Sequence, residues 1–175
     1  MDTIAILIPV FNEEKSIVEL TNELEKACVL ISNTHKVNFR IIFVDDGSSD
    51  SSVERIIQLK DHQLPIQLIS LSRNFGKEAA ISAGLEVGKD DSAILIMDAD
   101  LQHPPALIQK LIGEYMNKNV DMVYAFKKSR KTERLLSRLM SRIFYNLINT
   151  NSRFDIPKDA GDFRILSKKV LRLIL

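Results

Sequence analysis

Residues 92–105 read S-A-I-L-I-M-D-A-D-L-Q-H-P-P. The run Ala93–Met97 shows no polar alternation, which marks a strand buried on both faces, as in parallel sheets covered by helices. It ends on Asp98 and Asp100, two carboxylates spaced to point to one side. Pro104 and Pro105 follow, suited to the first turn of a helix. A buried strand that delivers carboxylates to its carboxyl end belongs to an open α/β sheet, where ligands bind outside that edge.

The same pattern recurs on both sides of this stretch. Apolar runs near Ile4–Ile8, Phe39–Val44, Ile66–Leu71 and Met122–Ala125 predict further strands, and amphipathic runs at about 13–32, 50–60, 76–88 and 105–117 predict helices between them. Asp50 is placed to cap the second helix. The expected fold is a single α/β domain with a mostly parallel sheet flanked by helices. Its strand ends carry Pro9-Val10-Phe11-Asn12-Glu13-Glu14, Asp45-Asp46-Gly47-Ser48, Ser72-Arg73-Asn74-Phe75-Gly76-Lys77 and Asp98-Ala99-Asp100. Four independent strand ends thus bring polar groups to one edge.

A chain of 175 residues, 45% hydrophobic and 27% charged, suffices for one domain with its own core. Its net charge of +1 speaks against a polyanion binder, so no nucleic-acid partner is expected. The distribution is uneven: residues 1–126 hold 11 basic and 19 acidic side chains, net −8, and residues 127–175 hold 13 basic and 4 acidic, net +9. An acidic cation-binding half followed by a basic half facing an anionic partner fits this split, as does a solvated basic helix face. The lone Cys28 excludes an internal disulfide and any multi-cysteine metal site, and fits a reducing compartment. The start, MDTIAILIPV, lacks a basic n-region and breaks at Pro9, so it reads as a strand and not a signal peptide. No run approaches the roughly 20 apolar residues of a membrane span. The closing LRLIL lies inside an apolar helical pattern without a C-cap, so the sequence reads as a piece of a longer chain.

Asp98 and Asp100 would repel each other unless a divalent cation lies between or beside them, and hard oxygen ligands suit Mg²⁺ or Mn²⁺. On this motif alone, a solvated loop end with an Asp as helix cap is an equal reading. Of Asp45 and Asp46, one is read as a ligand for a base or ribose and the rest of D-D-G-S-S-D as turn chemistry. A phosphate-binding P-loop is absent, because Gly76-Lys77 is followed by Glu78 and lacks the upstream glycine, and no G-x-G-x-x-G follows the first strand. A receiver-type phosphoacceptor domain has no use for D-A-D-L-Q-H-P-P.

Taken together, IPVFNEE, VDDGSSDSS, LSRNFGKEAAISAG, MDADLQHPP and AGDFRIL resemble the inverting GT-A family 2 glycosyltransferases. Within them it looks like the branch that transfers a sugar from a nucleotide-sugar to a polyprenyl phosphate, as in dolichyl-phosphate mannose synthases and bactoprenol glucosyltransferases. The resemblance runs from Ile4 to about Leu166. It implies a GT-A fold with a nucleotide-sugar-binding part over 1–126 and an acceptor-side part over 127–175, ending before membrane helices that longer members carry. It further implies that Pro9, Phe11, Asn12, Glu13 and Asp46 line the nucleoside pocket, with Lys77 near it. Asp98 and Asp100 would form the D-x-D pair, holding Mg²⁺ or Mn²⁺ against the diphosphate with Gln102 as accessory ligand. Asp162 would be the carboxylate beneath the anomeric carbon. Two positions depart from the commonest motif, His103 where Asp is frequent and Ala106 where Glu is frequent, and His103 reads as a capping or surface residue. Without tryptophan the chain lacks the Q-x-x-R-W signature of processive synthases, so a single transfer is expected.

Lys127 to Arg142 holds seven basic residues and one acidic, Glu133. From Leu135 the spacing is helical, with Leu135, Leu139, Ile143 and Leu147 on one ridge and Leu136, Met140, Phe144 and Ile148 on the next, bordered by Arg134, Arg138 and Arg142. This is read as an amphipathic helix at an anionic lipid surface on the cytoplasmic side of a membrane, the bland alternative being a packed helix with its arginines in water. An anionic phosphate acceptor accounts for the basic half, with Lys127, Arg130 and Arg134 as its ligands. A sugar-hydroxyl acceptor and a non-catalytic nucleotide-sugar-binding module are the alternatives. UDP is the expected nucleotide by family frequency, and homo-oligomerisation is compatible with the sequence.

Overall fold

The computed structural model describes residues 2–59, 62–101, 105–118, 120–126 and 160–175. Apolar runs become β1 (Thr3–Val10), β2 (Asn38–Asp45), β3 (Ile66–Ser70), β4 (Ala93–Ile96) and β5 (Met122–Phe126), joined by α1 (Ile17–His35), α2 (Ser52–Gln58), α3 (Lys77–Gly88) and α4 (Pro105–Lys118). A sixth strand, β6 (Ala160–Ser167), and α5 (Lys168–Ile174) follow. The sheet order is β3-β2-β1-β4-β6-β5. Four strands, β3 to β4, run parallel in register, and β6 lies antiparallel to both β4 and β5.

Burial on both faces explains the unbroken apolar runs. Ile4 to Ile8 are at most 1% exposed, with Ile4, Ile6 and Ile8 packed in the core beneath α1 and α4, and Ala5 and Leu7 in the core beneath α3. The approach of α3 is close: a methyl group at Gly84 would run into Leu7, and one at Gly88 into Ile94. Cys28 is buried in the larger core, and burial pushes its thiol pKa up to about 12.

Two boundaries differ from the sequence reading. Residues 13–16 form a turn, with the N–H groups of Ser16 and Ile17 both donating to the Glu13 carbonyl, so α1 starts at Ile17 and frees Glu13 for the sheet edge. The stretch AGDFRIL, read only as a site motif, is a strand: Phe163 and Ile165 enter the main core while Leu166 packs on the opposite face. That alternation of faces is the strand period.

Candidate functional site

The loops after β1 and β2 are fastened to each other by side-chain-to-backbone bonds. Asn12, in the left-handed region at φ 57°, donates its N–H to Ser48 Oγ at 2.9 Å, and its Oδ1 accepts the N–H of Ser49 at 2.9 Å. Glu13 N–H donates to Ser52 Oγ at 2.8 Å, Glu14 N–H to Asp50 Oδ2 at 3.1 Å, and Ser51 N–H to Glu14 Oε2 at 3.1 Å. Burial alone would raise the Asp50 pKa, but hydrogen bonds from Ser52 and the Glu14 backbone outweigh it and hold this carboxyl below its ordinary value. The fastened loops hold Phe11, 46% exposed, at the rim.

The two aspartates after β2 divide the work. Asp45 Oδ1 accepts the Ser48 N–H and its Oδ2 accepts the Ser70 hydroxyl, both at 3.1 Å, which closes the turn. Asp46 reaches across to the next loop, its Oδ1 accepting the Phe75 N–H at 2.8 Å and its Oδ2 the Gly76 N–H at 2.9 Å. Both aspartates are buried. Gly47 between this pair and Ser48 has φ +73°, and a Cβ there would stand 2.5 Å from the Arg73 carbonyl carbon, so only glycine lets the two loops approach.

At the end of β4, Ala99 packs in the main core, which turns Asp98 and Asp100 away from it and into the cleft. Lys77, the first residue of α3, places Nζ 2.5 Å from Asp98 Oδ1. Leu101 then takes φ 59°, a left-handed conformation that costs a non-glycine residue about 1–2 kcal/mol and bends the chain sharply after Asp100. These elements enclose a cleft of about 270 Å³ lined by Pro9, Val10, Phe11, Glu13, Asp46, Asn74, Gly76, Lys77, Asp98, Ala99 and Asp100.

Of the residues expected at the site, the structure brings together Pro9, Phe11, Glu13, Asp46, Lys77, Asp98 and Asp100. Asn12 is spent on the loop fastening and is not among the lining residues. Asp162 lies on β6, two residues beyond Arg164, while Asp98 lies two beyond Ile96, the register partner of Arg164. Gln102, His103, Lys127, Arg130 and Arg134, with the whole segment 127–148, lie outside the described residues. Asn74 and Gly76 also line the cleft, and their signal in the sequence is their place in the third polar cluster. Among the described residues no three His, Cys, Asp or Glu side chains gather as a metal cluster. Two carboxylates nevertheless fit a hard divalent cation whose remaining ligands come from substrate and water, and the Lys77 ammonium already stands against Asp98 where positive charge would be held.

The sequence model of the family described as glycosyl transferase family 2 matches residues 5–175. An uncharacterized glycosyltransferase of Synechocystis sp. is 35% identical over 171 residues, 98% of this chain and 52% of that protein. A bactoprenol glucosyl transferase of Shigella phage SfV is 34% identical over 171 residues, 98% of this chain and 54% of its own. The chain thus spans about half the length of the curated relatives it matches. Among solved structures, the mannosyltransferase PcManGT from Pyrobaculum calidifontis in complex with GDP-Man and Mn²⁺ superposes with a TM-score of 0.65 at 17% identity, over 98% of this chain and 46% of that one. This likeness establishes the GT-A fold.

Proposed function

Because the chain belongs to glycosyl transferase family 2, we propose that it carries the catalytic domain, donor part and acceptor-side part together, of an enzyme that moves a sugar from a nucleotide-sugar, a UDP-sugar first, to a polyprenyl phosphate. The observation that carries this reading is the convergence of four strand ends on one cleft that holds Asp98 and Asp100. The similarity to a bactoprenol glucosyl transferase over 98% of the chain supports the acceptor class.

In this reading the ring of Phe11 receives the base, and the outer lone pairs of Asp46, beyond those taken by Phe75 and Gly76, accept from base or ribose. Asp98 and Asp100, with Gln102, hold Mg²⁺ or Mn²⁺, which when bound neutralises charge developing on the leaving diphosphate. Lys77 lies beside the same phosphates. An oxygen of the acceptor phosphate forms a bond to the anomeric carbon as the bond from that carbon to the diphosphate oxygen breaks, and the configuration inverts. The acceptor is already anionic and needs no strong base, so Asp162 orients it. Lys127, Arg130 and Arg134 would supply its positive charge, and the amphipathic sequence behind them would meet the cytoplasmic membrane surface. No helix among the described residues is long and apolar enough to cross a membrane.

A product assay on the full-length protein tests this, with UDP-glucose and GDP-mannose as donors and polyprenyl phosphate or free sugars as acceptors. A glycosyl phosphate product sensitive to EDTA is expected. Transfer to a free sugar instead would reassign the acceptor, and donor binding without any product would reduce the chain to a donor-binding module.

A further inference from the structure

Arg164 carries a charge that the donor cleft leaves unused. It lies half-buried on β6, on the face opposite Phe163 and Ile165, between Ile96 of β4 and Tyr124 of β5 in the ladder. On that face Ile96 and Leu166 belong to the smaller apolar core. A guanidinium keeps its charge at every relevant pH. Its Nε is nevertheless buried without a hydrogen-bond partner, and among the described residues no ion pair reaches it. A buried orphan donor is an exception that calls for a compensating role.

Of the carboxylates that line the donor cleft, Asp98 is the one within reach. It stands two residues beyond Ile96 on the same face, which makes it the diagonal neighbour of Arg164 across the β4–β6 pair. Diagonal neighbours lie about 7–8 Å apart at the backbone, within the span of a long side chain. Asp98 is held from the other side by Lys77. Lys77 is the first residue of α3 and half-exposed, so it can leave for an incoming diphosphate, whereas Arg164 is fixed in the middle of the sheet. We propose that Arg164 is a positioning residue for Asp98: once the donor draws Lys77 away, the guanidinium holds one carboxylate oxygen and directs the other at the divalent cation. This rests on the metal reading of the same cleft.

The test is Mn²⁺ affinity on the full chain with saturating UDP, the diphosphate that draws Lys77 away, read as free Mn²⁺ by electron paramagnetic resonance against UDP alone. Arg164→Met is expected to weaken Mn²⁺ binding 10- to 100-fold, the usual penalty for losing a residue that orients a metal ligand. Arg164→Lys should recover part of it. The thermal midpoint of Arg164→Met should be unchanged or raised, because an apolar side chain suits that face. Ile165→Val, which disturbs the same strand without touching the charge, should bind Mn²⁺ like the parent. Unchanged or tighter Mn²⁺ binding in Arg164→Met, with binding lost in Asp98→Asn, overturns this inference and leaves the metal reading standing. Parental affinity in Asp98→Asn overturns both. Should the Met variant not fold, Arg164→Gln takes its place with the same expected loss, and parental affinity there also overturns the inference.

Discussion

Asp46→Asn tests whether the cleft wall is built by one buried carboxylate. The substitution preserves shape, so packing is unaltered, and it acts on two bonds only: the N–H groups of Phe75 and Gly76 at 2.8 and 2.9 Å. An asparagine offers one oxygen and turns an amide N–H₂ toward the second donor, which is left part-buried and unsatisfied. A hydrogen bond to a charged group contributes about 1.5–3 kcal/mol, and an orphaned buried donor costs about 1–3 kcal/mol. The expected loss is therefore about 3 kcal/mol, or roughly 6–12 °C in midpoint for a chain of this size. Urea unfolding without nucleotide measures it, with the slope against denaturant unchanged. UDP affinity should fall as well, because Asn74, Gly76 and Lys77 move with the loop. A variant of parental stability that has lost only nucleotide affinity would refute this account, and Asp46 would then act by ligand contact alone.

Gly47→Ala should lose about 2–4 kcal/mol by the same unfolding assay, from a left-handed alanine and a Cβ pressed on the Arg73 backbone. The Cys28 thiol, raised to about 12, should resist a disulfide reagent at pH 8 in the folded state and react at once in urea. Its linkage has a defined sign: the unfolded thiol ionises from its ordinary value upward and the folded one does not, so this contribution is intact below pH 9 and erodes as pH rises toward 12. Cys28→Ala should flatten that alkaline slope in pH-dependent unfolding. Asp162→Asn in the full-length enzyme should lower kcat strongly while donor affinity stays within a few fold; lost donor binding with kcat kept would contradict the acceptor-orienting role.

Five strands were legible because each is an apolar run between polar punctuation; β1, β2 and β4 owe it to burial on two faces, and the edge strands β3 and β5, only partly buried, keep shorter apolar runs. β6 was not, since its pairing is antiparallel to both neighbours and is fixed by contacts far away in sequence: Arg164 lies 68 positions from its partner Ile96. Only Phe163-Arg164-Ile165 hinted at it. The cleft lining was legible at Glu13, Asp46, Asp98 and Asp100, because charged residues within a few positions of the end of a buried strand gather at the sheet edge. What an acid there bonds to depends on which loop comes near, and so the hold of Asp46 on Phe75 and Gly76, and the diversion of Asn12 to Ser49, became visible only in the fold.

The charge inventory of the cleft leads to a last prediction. Its lining carries Glu13, Asp46, Asp98 and Asp100 against one cation, Lys77, which is already paired with Asp98. The described lining side chains therefore carry more negative than positive charge where a diphosphate is proposed to sit. At about 7 Å and an effective dielectric of about 20, each like-charge pair costs roughly 2 kcal/mol before salt screening. Even one such pair left unrelieved would weaken binding more than tenfold. A divalent cation held by Asp98 and Asp100 would relieve that repulsion, whereas an uncharged nucleoside never meets it. Mn²⁺ should thus tighten UDP binding at least tenfold over EDTA in calorimetry and change uridine binding by less than twofold. Equal UDP affinity in Mn²⁺ and EDTA would show that the loops rearrange to bring in other cations, and the cleft's acidity would then have a different purpose.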